Sequence, residues 1–221
     1  MIKGSLGIYE ADSSYWRMKN SDKFKSVICN AYFRPIFYLF EKLLEKSIQK
    51  SPALSGPIEN PFAASIVVLL VVCLESFLTS LKSKGKIYER IQKQYSKFKN
   101  TEKLKEIFVL RDLIVHNHIW DIEFNQENMA LISVQLEEGF GDPKFKECID
   151  RQTKKTKLLG LHIIPTSVDR DDACIVLKTV IQSLLFLEEK SKRKLVYISD
   201  QHYCFRGKLK TINTIMQEII V

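Results

Sequence analysis

Apolar residues recur along most of the chain at the three- and four-residue spacing of helices that bury one face. Over Phe24 to Lys50 the run contains Val27, Ile28, Ala31 and Tyr32, with Pro35 expected to break or kink it. The stretch Ser51 to Pro61 is rich in Pro and Gly and reads as a break. Asn60 followed by Pro61 then opens a second helix, Asn capping free amides and Pro lacking the N–H that would go unpaired. That helix is predicted to run to about Leu81, with Gly85 as its stop.

A third helix is predicted over Lys86 to Phe98, on Ile87, Ile91, Tyr95 and Phe98. A fourth opens at Asn100 or Thr101 and carries Leu104, Ile107, Phe108, Ile114 and Val115. Ile119 to Phe124 and Met129 to Leu136 read as strands of a hairpin around residues 125–128. A basic, irregular stretch follows to Pro165, where Lys144 to Lys157 is either a mobile arm or an ordinary polar loop. Ser167 and Asp169 to Asp172 start another helix that ends near Lys190 to Lys194. Tyr197 to Tyr203 reads as a short strand and Lys208 to Ile220 as a last helix. The predicted class is mainly α, an antiparallel helical bundle with a small β-hairpin appendage. Residues 1–59 would form a helical N-terminal extension, 60–195 the helical domain, and 196–221 a strand and helix packed on it.

At 221 residues, 45% hydrophobic and 27% charged, the chain has the composition of a globular protein and not of a disordered one. The apolar run Phe62 to Leu74 is shorter than the roughly 20 residues that span a bilayer. The first residues contain no apolar signal segment, so no membrane partner and a cytoplasmic location are expected. Five cysteines at wide spacing, with no C-x-x-C, predict neither a disulfide framework nor structural zinc. His202 and Cys204 are too sparse for a metal site, and no Gly-rich phosphate loop or hydrolase elbow is present, so no cofactor is expected.

The net charge of +8 points to polyanions, and its distribution sharpens the point. Lys82 to Lys105 holds nine basic residues against Glu89 and Glu102. Within it Lys82, Lys86, Arg90, Lys93 and Lys97 form a helical stripe, suited either to tracking an RNA backbone or simply to solvation. Tyr88 and Tyr95 interleave with the stripe and could stack bases, although Tyr95 suits the inside better.

The chemistry concentrates in Leu110-Arg111-Asp112-Leu113-Ile114-Val115-His116-Asn117-His118. On a helix Asp112 and His116 share a face, so the carboxylate can orient the imidazole; Arg111 and His118 also align. A neutral His can take the proton of a ribose 2′-hydroxyl as it attacks the adjacent phosphate. Arg can hold that phosphate and stabilise the charge of the transition state. The same residues could instead only cap a helix terminus. Glu75, set among Val68, Val71, Val72, Leu78 and Thr79, either marks a solvent edge or needs a cationic partner, for which Arg111 is the natural candidate.

This segment resembles the R-x4-6-H motif of HEPN domains, in which a polar residue commonly follows the Arg. Arg111-Asp112 to His116 matches R-x4-H, and His118 would satisfy R-x6-H. A family subset has Tyr two residues after the His; His118 stands there, which departs from that pattern. The resemblance spans residues 60–195 and implies a helical bundle that pairs as a homodimer with the two motifs facing each other. It implies a metal-independent endoribonuclease leaving 2′,3′-cyclic phosphate ends, of the kind found in toxin–antitoxin and antiviral-defence systems. His116 would be the general base or acid and Arg111 the phosphate clamp. Asp112 would orient His116, and Glu75, Asn117 and His118 would support the site. The implied partners are RNA, a second copy, and a cognate antitoxin or regulator. The alternatives are a non-catalytic RNA- or nucleotide-binding adaptor, and an assembly module that touches no RNA.

Overall fold

The computed structural model describes residues 29–46, 58–78, 85–116, 120–125, 130–135, 143–190 and 198–220. Helix α1 (Cys29–Leu44) runs through Pro35. Proline removes one hydrogen bond, to the carbonyl of Ala31, but both residues lie on the exposed face where water can serve that carbonyl. The opposite face buries Phe33, Ile36, Phe37, Phe40 and Leu43 completely. These side chains belong to the same core as the helices that follow.

Helix α2 (Asn60–Leu78) is apolar almost all round and long enough, by length and composition, to cross a membrane. It is also the central helix of the described bundle, packed against α1, α4 (Thr101–Val115) and α6 (Arg170–Lys190). Asn60 does not use its side chain as a cap. Its Nδ2 donates to the carbonyls of Pro165 and Val168 at 2.7 and 2.9 Å, tying the start of α2 to the turn before α6. α6 is capped as predicted, by a reciprocal pair: the Asp172 amide donates to Asp169 Oδ1 (3.0 Å) and the Asp169 amide to Asp172 Oδ2 (3.1 Å).

Helix α3 (Ile87–Gln94) is shorter than predicted, because Tyr95 leaves helical geometry at φ −133°, ψ 84°. α4 is buried on two sides: Leu104, Ile107, Phe108 and Leu110 enter the main core. Val109 and Leu113 enter a smaller one with Phe145, Cys148, Ile149 and Ile163. Strands β1 (Trp120–Asn125) and β2 (Ala130–Gln135) pair antiparallel, Trp120 opposite Gln135 and Asn125 opposite Ala130, as the hairpin reading expects.

The basic stretch after it is ordered, neither an arm nor a plain loop. It forms α5 (Pro143–Cys148) and the two-residue strands β3 (Ile149–Asp150) and β4 (Lys155–Thr156). The Glu106 carboxylate of α4 accepts from the Leu158 and Leu159 amides at 2.7 and 2.8 Å and pins this region down. The C-terminal segment also differs from expectation. Lys208 to Thr211 is a strand, β6, paired with β5 (His202–Phe205), and only Ile212–Ile219 is helix, α7. Arg206 and Gly207, at φ +52° and +70°, make the two-residue turn with the twist a hairpin needs. Tyr203 and Phe205 then stack edge-on against Phe33 and Phe37 of α1.

Candidate functional site

With both flanks of α4 committed to cores, a narrow polar strip remains at its C-terminal end, and Arg111 and Asp112 occupy it. Arg111 Nη2 lies 2.9 Å from Oε1 of Glu75, the acidic residue of the otherwise apolar α2. Both side chains are about three-quarters buried, where an unpaired charge would cost several kcal/mol. The partner expected for Glu75 is therefore the one found. Arg111 Nε lies 3.0 Å from Asp112 Oδ1, an ion-pair contact whose angle does not make a hydrogen bond, and the guanidinium sits 5.7 Å from the Phe108 ring centre.

Asp112, expected to orient His116, has two basic partners of its own. The Asp112 carboxylate is held by Arg111 and by Lys144, which reaches across from α5. His116 touches Asp112 through the backbone, its amide donating to the Asp112 carbonyl at 3.0 Å. His116 is the C-cap of α4, at φ −100°, ψ 95°. His116 is exposed at this terminus, five residues beyond Arg111. Asn117 and His118 lie outside the described residues, and so does Lys82.

Beside the Glu75–Arg111–Asp112 group is a cavity of about 210 Å³, whose lining includes Tyr88, Phe108, Lys86, Lys105 and Lys144. Lys105 is ion-paired to Glu147, and that hydrogen bond holds its ammonium above the usual lysine range. The predicted basic stripe is only partly present. Lys93 is exposed on α3, Lys97 lies beyond the end of the helix, and Arg90 turns inward to donate to the Leu78 carbonyl at 2.8 Å, closing the end of α2. Tyr88 is buried beside Phe108, and Tyr95 is half-buried with its ring edge-on to Phe186.

Residue-by-residue reading missed Lys105 and Lys144 as members of this group. Lys144 is 32 residues from Asp112, and only the packing of α5 on α4 joins them. It also missed His162, whose Nδ1 lies 3.0 Å from Asp172 Oδ2 and 3.6 Å from Asp169 Oδ2. These three groups converge closely enough for a cation. However, Asp172 already accepts from the amides of His162 and Asp169 and contacts the imidazole, so the arrangement is accounted for as a helix cap. Burial, and then the charge of Asp169, push the Asp172 carboxyl upward. No protein-family model, curated protein or solved structure matches this chain, so its function must be argued from these residues.

Proposed function

We propose that this protein is a metal-independent endoribonuclease of the HEPN kind, working as a homodimer in the cytoplasm. The observation that carries the reading is the end of α4. There an arginine anchored by a carboxylate from the neighbouring helix stands five residues before an exposed histidine. An anchored guanidinium presents a rigid fork to a phosphodiester, and an exposed imidazole at the same terminus can reach the adjacent ribose. His116 would take the proton of the 2′-hydroxyl as its oxygen bonds to phosphorus. The bond to the 5′-oxygen breaks, leaving a 2′,3′-cyclic phosphate, and a proton returns to that oxygen from a second group such as the partner's His116. Arg111 would stabilise the charge gathered on the phosphoryl oxygens.

A second reading is favoured by one observation, that Arg111 is spanned by two carboxylates and so already neutralised. In that case the module binds RNA or a nucleotide without cutting it. Cleavage of RNA in EDTA separates the two: the nuclease loses cutting but keeps RNA affinity on His116→Ala, whereas an adaptor never cuts. A role in toxin–antitoxin or antiviral systems, with a cognate regulator, rests on the resemblance alone.

A further inference from the structure

The cavity beside Arg111 has a composition that the motif chemistry does not use. Its volume of about 210 Å³ equals roughly seven waters at about 30 Å³ each, enough for a phosphate with its sugar. Tyr88 and Phe108 give the lining apolar surface, and Lys86, Lys105 and Lys144 line it as well, Lys105 ion-paired to Glu147 and Lys144 to Asp112. The two carboxylates on the same lining, Glu75 and Asp112, are already engaged by Arg111 and by Lys144. Lys105 is only 17% exposed, but its counter-ion Glu147 is 58% exposed and belongs to the surface of α5. An entering anion can thus displace Glu147 into water at little cost, while keeping the largely buried Lys105 side chain paired.

We infer that this cavity, between α2, α3, α4 and α5, is a subsite for the phosphate of a sugar-phosphate unit, with Lys105 as its principal ligand. Resting on the ribonuclease reading, it holds the nucleotide next to the one at Arg111 and His116, with the sugar against Tyr88 and Phe108. The substrate is then a strand that extends beyond the cleaved bond, not a dinucleotide alone.

The test uses the full chain with three probes: inorganic phosphate, ribose 5-phosphate, and a short RNA with 2′-O-methyl groups that cannot be cleaved. Binding is followed by lysine-amine NMR shifts and by RNA anisotropy, for wild type, Lys105→Gln, Lys86→Gln and, as a distant control, Lys208→Gln. The expected result is that both small phosphates shift the Lys105 amine in a saturable way, ribose 5-phosphate more tightly. Lys105→Gln should then weaken all three probes about tenfold, Lys86→Gln should weaken them less, and Lys208→Gln should have no such effect. A wild type that cleaves RNA while Lys105→Gln binds all probes unchanged overturns the subsite and leaves the nuclease reading standing. Lysine-dependent binding of the small phosphates without RNA binding or cleavage supports the subsite and sinks the RNA reading. No saturable shift with any probe overturns the subsite outright.

Discussion

Arg111 holds its guanidinium against Glu75, from a different helix, and that contact sets its direction before any substrate arrives. Replacing it by Lys keeps the charge but loses the fork, so RNA cleavage should fall by about 10²-fold or more, with a melting temperature close to that of wild type. Glu75→Gln should keep a hydrogen bond and lose the ion pair. A fall of about tenfold in cleavage, read beside an unchanged circular dichroism spectrum, would mark Glu75 as a positioning residue. The cysteines offer an independent check of burial. Cys148 and Cys174 have thiols pushed up to about 11 by burial, while Cys204 is exposed on β5. At pH 8 only about one in a thousand of the buried thiols is ionised, so iodoacetamide should label Cys204 well before those two, as mass spectrometry of the digested protein would show. At this scale the Glu75–Arg111 pair was legible, because one carboxylate in an apolar helix demands a cation. Lys144 was not, because nothing local to it points towards Asp112.

The elements show why some boundaries were readable and others were not. Turn-forming and capping residue types made the starts of α2, α4 and α6 plain, Asn60-Pro61, Asn100 and Asp169, although only Asp169 makes a side-chain cap in the fold. α3 ended early because Tyr95 and Phe98 reach inward to Phe186 from a turn, not from a continued helix. The C-terminal hairpin was hidden because Leu209, Ile212, Ile215 and Ile219 approximate helical spacing, while the Arg206-Gly207 turn is the stronger fact. Gly207→Ala should therefore destabilise the protein by about 1 kcal/mol, since an added Cβ at φ +70° is strained even in open space. Arg90 belongs to this scale too. Arg90→Gln removes the donor at the end of α2 and should cost about 1–2 kcal/mol in urea unfolding, whereas Lys93→Gln on the same helix should cost almost nothing.

In the whole molecule α1 contributes to the main core, with Phe33, Ile36, Phe37 and Phe40 all fully buried. A chain beginning at residue 58 should lose near-UV circular dichroism and cooperative unfolding. Folding of that piece as a stable unit would contradict the single core. The periodic pattern made α1 visible as a helix, yet no local pattern says which core a helix joins. Pairing of two copies is required to bring two Arg111/His116 groups together, and sedimentation at tens of micromolar should give twice the monomer mass. A monomer would leave the proton on the departing 5′-oxygen without a donor from the partner's His116.

The central claim, that the end of α4 cuts RNA without a metal, is tested most directly by incubating the full chain with tRNA and total RNA in EDTA, beside Arg111→Ala and His116→Ala. The account predicts cleavage by the wild type alone, with 2′,3′-cyclic phosphate and 5′-hydroxyl ends, and RNA affinity retained by His116→Ala. RNA left intact by the wild type, or cut equally by all three proteins, would contradict it.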